Sequence, residues 1–255
     1  MQTGEIATDR CVFQITGADA LPFLQGMVSN DVLGLARGDG IVWTALLTPQ
    51  GKYLADFFVL AVGGQLLLDI NRTIAAATVK RLLIYRLRAD VQIGDSKVVV
   101  TRGRGVAPNG ALADPRHAAL GWRGYGLAAG TGGAAAIDWD AIRVAHCIPE
   151  TGIELIADDS YLLETGFERL HGVDFRKGCY VGQEVTARMK HKTELRKGLV
   201  RVAVQGAAPV GSDIYAGEKL VGRLFTQSGG YGLAYLRFDQ AVGVMTAPGA
   251  KITLV

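Results

Sequence analysis

Between residues 41 and 70 the chain passes through three apolar stretches, 41–48, 53–62 and 65–70, separated only by Pro49-Gln50-Gly51-Lys52 and by Gly63-Gly64. Parallel strands need a crossover of a dozen or more residues, so runs this close in sequence can pair only antiparallel. The segment predicts a three-strand meander. Glycine punctuates the rest of the chain in the same way, 34 times in 255 residues, which argues for short elements between turns and against a long-helix bundle. With 49% hydrophobic residues there is enough apolar material for a real core, in one large domain or two to three small ones.

Helical spacing of apolar residues predicts a short helix at 19–27, with Thr16 or Asp19 as its cap and Pro22 in its first turn. A second helix, 74–87, places Ile74, Val79, Leu82, Leu83 and Leu87 on an apolar face and Lys80, Arg81, Arg86 and Arg88 outside. Further strands are expected at 91–93 and 98–101, then loops over 103–133 around one strand near 121–127, and helices at 138–148 and 182–191. From Gly198 onward the pattern changes to glycine-bounded strands, at 199–204, 219–225, 232–238 and 251–255. The expected organisation is an α+β region over 1–196 and a small all-β unit over 197–255.

Several functional classes are disfavoured. Lys+Arg 27 against Asp+Glu 24 leaves a net charge of +3, too mild for a dedicated nucleic-acid binder. Cys11, Cys147 and Cys179 lie far apart without a CxxC pair, so neither a disulfide framework nor a four-cysteine metal site is expected. That usage suits a reducing compartment. No basic and apolar leader opens the chain and no apolar run is long enough to span a bilayer, so a cytoplasmic, membrane-free protein is expected.

The segment 174–201 is the most unusual. Between Arg176 and Arg201, eight cations, Arg176, Lys177, Arg188, Lys190, Lys192, Arg196, Lys197 and Arg201, face only two acids, Glu184 and Glu194. Such a run is either a solvated helix face or a site that steers an anionic ligand. Inside it, Lys177-Gly178-Cys179-Tyr180-Val181-Gly182-Gln183-Glu184 sets a thiol beside two cations and before a helix start. Either Cys179 is a small buried residue of a tight turn, or the positive potential favours its thiolate and makes it reactive.

KGCYVGQE at 177–184, followed by Ala187-Arg188, resembles the signature of the YgfZ group of folate-binding proteins, relatives of the T-protein of the glycine cleavage system. FLQGMVSNDV at 23–32, LLTPQGKYLADFFV at 46–59 and YRLRADV at 85–91 resemble further segments of that group, in its order. The resemblance implies aminomethyltransferase-like folate-binding α+β subdomains around a central hole, closed by a small C-terminal β-barrel. It implies tetrahydrofolate or a derivative as cofactor, and a role in assembling or repairing iron–sulfur clusters in client proteins, with Cys179 as the key functional side chain. Glu164 matches the family's pterin-binding acid, a role a carboxylate fills by accepting adjacent N–H donors; otherwise it is an exposed loop acid. Lys177, Arg188, Tyr180 and Asn30 are the further residues expected around the folate.

The chain departs from the family at three places. Leu162 stands where proline is common before Glu164, Cys147 where glycine precedes Ile148-Pro149, and the hairpin keeps Asp56 without a second carboxylate. Asp56 either serves as a catalytic acid or base or simply ends a strand. A folate-dependent aminomethyl or one-carbon transferase is the alternative function. A tRNA-binding role is disfavoured, because Tyr180 is the one aromatic residue between Arg176 and Arg201.

Overall fold

The computed structural model describes residues 3–127, 137–191 and 194–255. They form two compact units, Met1–Ile137 with Glu168–Gln183, and Asp138–Phe167 with Glu184–Val255. Among the described residues no helix is long and apolar enough to cross a membrane.

The first unit opens with β1 (Thr3–Ile6) and β2 (Arg10–Thr16), followed by helix α1 (Ala20–Met27). The expected meander follows as β3 (Gly40–Leu47), β4 (Tyr53–Val62) and β5 (Gln65–Asn71), and the chain continues through helix α2 (Arg72–Tyr85) to β6 (Gln92–Asp95). These strands make one antiparallel sheet in the order β3-β4-β5-β2-β6. Leu24, Met27 and Val28 from α1 and its exit share a buried core with Leu46, Phe57, Val59, Leu68 and Ile70 of the sheet. Each such side chain contributes roughly 1.5 to 3 kcal/mol by leaving water. A second sheet, in the order β1-β7-β9-β8, uses β7 (Val100–Arg104), β8 (Leu112–Ala113) and β9 (Trp122–Tyr125). Part of the expected loop region, 128–133, lies outside the described residues.

Two details of the helices differ from expectation. Asp19 makes no cap to α1; its carboxylate accepts from the Asp90 amide at 2.8 Å, while the Asp90 carboxylate accepts from Ala18 at 3.0 Å. The pair ties the helix entry to the segment before β6. In α2, Asn71 caps the first turn by accepting from Thr73 at 2.9 Å, and Ala75, Thr78 and Leu82 make the buried face. Leu83 and Leu87 are exposed instead of buried: Leu83 lies off the Ala75, Thr78 and Leu82 face, and the helix ends at Tyr85, after which Leu87 turns away with φ +48°.

Strand β2 has no clean apolar pattern, yet it lies between β5 and β6. Its Arg10 is buried because Asp69 on β5 accepts its Nε at 2.7 Å. Asp69 is fully buried, and its other oxygen accepts from Arg123 at 2.6 Å and from Tyr125 at 2.8 Å, both on β9 of the second sheet. Arg123 and Arg116 share the carboxylate of Asp114, and the guanidinium groups of Arg10, Arg116 and Arg123 all lie over the Phe58 ring, at 5.4, 5.0 and 4.1 Å. This buried network joins the two sheets. The two guanidinium partners outweigh burial and hold the Asp69 carboxyl down at about 2.

The second unit is built on a closed antiparallel barrel, β10-β13-β12-β11-β14-β15, from β10 (Lys197–Gly206), β11 (Ser212–Ala216), β12 (Lys219–Ser228), β13 (Tyr231–Arg237), β14 (Met245–Ala247) and β15 (Ala250–Leu254). Closure removes the free strand edges of a small sheet. Strands β12 and β13 approach so closely at Gly222 that a Cβ there would meet the Tyr235 carbonyl at 2.2 Å. The barrel begins where the sequence pattern changes, but the compact unit containing it is larger than 197–255. Helix α3 (Trp139–His146) and the segment after it pack with the barrel through Arg143, which donates to Glu154 at 2.9 Å and to Thr226 of β12 at 2.9 Å. Helix α4 (Gln183–His191) leads into the barrel. Cys147, at the family's glycine position, caps α3 in the left-handed region with φ +51°.

Candidate functional site

Three of the sequence segments singled out above meet in the first unit. Lys177 is buried, and its ammonium donates to the carbonyls of Gln25 at 2.8 Å, Val28 at 2.5 Å and Asn30 at 2.8 Å. An ammonium has three protons, and three carbonyls take them. The amide of Val181 donates to Gly26 at 3.3 Å in the same turn. Gly182, with φ +83°, lies against the 46–59 hairpin so tightly that a Cβ would stand 2.5 Å from the Thr48 carbonyl. Glycine is required there both by conformation and by space.

The loop that leads into α4 is thereby bolted down on both sides of the thiol. Tyr180 is buried with its ring 5.1 Å from the Lys177 ammonium, whereas Gly178 and Cys179 between them are exposed. The tight-turn reading of Cys179 as a buried packing residue is therefore corrected: Cys179 is an exposed free thiol on a fixed loop. Burial draws the Lys177 ammonium down to about 8, against weaker opposing charges of Asp31 and Asp174.

Two residues expected to contact a folate have other work. Lys177 has no proton left for a ligand, because the 23–30 turn consumes all three. Asn30 donates its amide to Trp43 O at 2.8 Å and to His171 O at 2.6 Å, and its own oxygen accepts from Asp31 at 3.0 Å. Both hold the loop in place. Asn30 nevertheless lines a cavity of about 420 Å³ together with Glu168, His171, Asp174 and Arg176. Tyr180 packs under Lys177.

Asp56 does not end a strand; it lies inside β4, buried, with Trp43 Nε1 on one oxygen at 2.8 Å and the Tyr53 hydroxyl on the other at 2.7 Å. A carboxylate clamped by an indole and a phenol orders the hairpin. Arg188 is exposed on α4, whose buried residue is Thr186, so the helical part of the basic run is a solvated face. Lys192 lies outside the described residues.

Glu164 belongs to the second unit and is 7% exposed, so it is not a loop acid open to solvent. Its carboxylate Oε2 accepts the hydroxyl proton of Tyr235 on β13, and the Lys197 ammonium lies 3.8 Å from the same oxygen. Oε1 accepts no hydrogen bond from a described residue. The main chain is pinned as well, since Leu199 donates to the Glu164 carbonyl at 2.7 Å. Burial and the adjacent carboxylate push the Tyr235 phenol well above its ordinary pKa, so Tyr235 remains a donor. Glu164 lines a cavity of about 980 Å³ with Met189, Arg196, Lys197, Arg237 and Gln240. Tyr235 was missed by sequence reasoning and Lys197 was placed only in the basic run, since a barrel strand's tyrosine and a strand-initial lysine carry no local signal of a partner far away in sequence.

A carboxylate with one oxygen held by a phenol and the other without a partner among the described residues suits a ligand edge that presents N–H donors. Among the described residues no group of three His, Cys, Asp or Glu side chains gathers as a metal site.

These features define a class: an aminomethyltransferase-like fold of mixed α and β structure with a closed six-stranded C-terminal barrel. The fold matches the glycine cleavage system aminomethyltransferase T of Bartonella henselae with a TM-score of 0.74 and 13% identity, over 100% of this chain and 85% of that one. Residues 196–255 match the family model described as CAF17, C-terminal beta-barrel domain. The particular likeness in sequence is to proteins named iron–sulfur cluster assembly factor IBA57, mitochondrial. The human one is 28% identical over 96% of this chain and 81% of its own length. The homologue from Mycosarcoma maydis is 31% identical over 75% of this chain, which spans 54% of that longer protein. Mitochondrial location is part of those names, whereas the sequence suggested the cytoplasm.

Proposed function

We propose that this chain is an iron–sulfur cluster assembly factor that binds a reduced folate and acts on client proteins through the Cys179 loop. The observation that carries this reading is its similarity to the human assembly factor over nearly its whole length. The KGCYVGQE resemblance adds the finer, YgfZ-type character, and the fixed, outward-facing Cys179 supports it. A thiol held on a rigid loop loses little freedom when a partner engages it.

Glu164 is the proposed anchor for the folate's N–H edge, with Tyr235 fixing the carboxylate. Arg196 and Arg237 supply positive charge in the same cavity for the anionic portion, while Lys197 stays beside the Glu164 carboxylate. When bound, a reduced folate would supply redox or one-carbon chemistry; the chain's own part is to orient it and to exclude water. The transferase alternative is less favoured, because Asp56, the candidate acid of the hairpin, is occupied by Trp43 and Tyr53.

Anaerobic calorimetric titration of the reduced protein with tetrahydrofolate and its 5-formyl and 5-methyl derivatives tests the ligand. Saturable one-site binding supports the reading, and absence of heat with all three removes folate from it.

A further inference from the structure

Helix α2 ends in the run Leu82-Leu83-Ile84-Tyr85, four apolar residues that together go round a whole turn. A helix that is apolar on every side is one that is covered on every side. Among the described residues only one side is covered. Leu82 is fully buried in the core of the first unit, whereas the next six residues, Leu83 to Arg88, are all exposed, Ile84 at 64% and Leu87 at 86%. The exposed end is held in place: the Ala89 amide donates to the Arg86 carbonyl at 2.9 Å, and the Arg86 guanidinium donates to the Val91 carbonyl at 3.1 Å. Leu87 is thus presented by an ordered turn.

The charges around this apolar centre are of one sign. From Ile70 to Ala89 the sequence has five cations, Arg72, Lys80, Arg81, Arg86 and Arg88, and no acid. Arg72 is used by the carbonyls of Thr8 and Arg10. Lys80 and Arg81 stand three and four residues before Leu83, Ile84 and Tyr85, which makes them neighbours on the helix surface, and Arg86 and Arg88 flank Leu87. Among the described residues Lys80, Arg81 and Arg88 have no acidic partner. The next acid along the chain, Asp90, holds the Ala18 amide at 3.0 Å.

We infer that this end of α2 is a docking face for a protein partner whose own surface sets carboxylates around an apolar centre. The inference rests on the client-protein reading above and names the chemistry of the partner's face. An apolar centre of Leu83, Ile84 and Leu87 beside Tyr85, with arginines at its rim, has the composition of a protein interface. Three of the four rim cations are arginines, whose planar forks match carboxylates in pairs. A second copy of the chain does not fit, because a two-fold contact through this face sets the same cations against one another. A lipid surface fits less well than a protein, because one turn earlier the outer face carries only Ala76, Ala77 and Lys80, leaving no apolar strip to insert.

The test returns variants to cells lacking their own IBA57-type factor and reads iron–sulfur enzyme activity. Ile84→Gln with Leu87→Gln removes the apolar centre, Lys80→Gln with Arg81→Gln removes half of the rim, and Lys219→Gln removes an exposed cation of the barrel as a control. All three keep thermal midpoints within about 2 °C of wild type, since the side chains are exposed. Wild type and Lys219→Gln are expected to restore activity, and each α2 variant to restore at least about threefold less. Full restoration by either α2 variant, or an equal loss in Lys219→Gln, overturns the docking face and leaves the assembly reading intact. No restoration by wild type overturns that reading and the docking face with it. In sedimentation with vesicles of equal parts phosphatidylcholine and phosphatidylserine, wild type is expected to stay in solution. Binding that the Ile84 and Leu87 variant loses would assign the face to lipid and overturn the protein partner.

Discussion

The ammonium of Lys177 lies 5.1 Å from the ring of Tyr180, and the two residues between them, Gly178 and Cys179, face solvent. The motif's conspicuous cation is thus a bolt and its aromatic a bearing surface. Their joint effect is to present a thiol.

Replacing Lys177 by Met should cost about 1 to 3 kcal/mol, the scale of leaving buried hydrogen-bond acceptors unsatisfied. Three carbonyls of the 23–30 turn lose their donor at once. Urea denaturation reads the loss, and a change below about 1 kcal/mol would contradict the bolt.

Asp69 makes stability acid-sensitive. Its folded pKa, about 2, lies below the ordinary 3.8, so the ionised form is favoured by folding. The contribution is complete above pH 4, roughly 2 kcal/mol, and is lost as pH falls through the folded value. Asp69→Asn should flatten the fall in unfolding free energy between pH 4 and 2, and should itself destabilise by about 3 to 5 kcal/mol by leaving Arg10 and Arg123 under-paired. A variant with an unaltered acid limb would show that other carboxylates govern it.

At Cys147 the expected change is a gain. The residue holds a left-handed φ of +51° at the end of α3, where glycine carries no Cβ strain. Its Sγ contact to Leu199 O, at 3.6 Å, is weak. Cys147→Gly should therefore stabilise by about 0.5 to 1 kcal/mol. Thermal unfolding checks it, and a lower midpoint would mean that the sulfur's packing outweighs the strain.

Glu164→Gln keeps the shape of the carboxylate and removes its charge. Folate binding should weaken by about 1 to 3 kcal/mol, the worth of a charge-assisted hydrogen bond. An unchanged dissociation constant would take Glu164 out of the ligand site.

The meander, α1 and most of the barrel were legible because their signals are local: apolar runs, glycine turns and a proline in a first turn. Strand β2 was not, since Arg10 and Gln14 interrupt its pattern, and only Asp69, distant in sequence, explains a buried arginine there. Strands β11 and β14 are too short to show a period. The exposed end of α2 was misjudged because Leu83 and Leu87 fit helical spacing, whereas the helix stops before the latter. In the candidate site, sequence pointed to Cys179 and Glu164 but assigned Lys177, Asn30 and Asp56 by residue type. Their hydrogen bonds reach main-chain carbonyls and aromatic side chains that no motif encodes.

The central claim is tested most directly by returning wild type and Cys179→Ala to cells lacking their own IBA57-type factor and assaying iron–sulfur enzyme activity. The account predicts that wild type restores activity and that Cys179→Ala, folded and binding folate like wild type, does not. Restoration by both would remove the thiol from the function, and restoration by neither would contradict the assembly role itself.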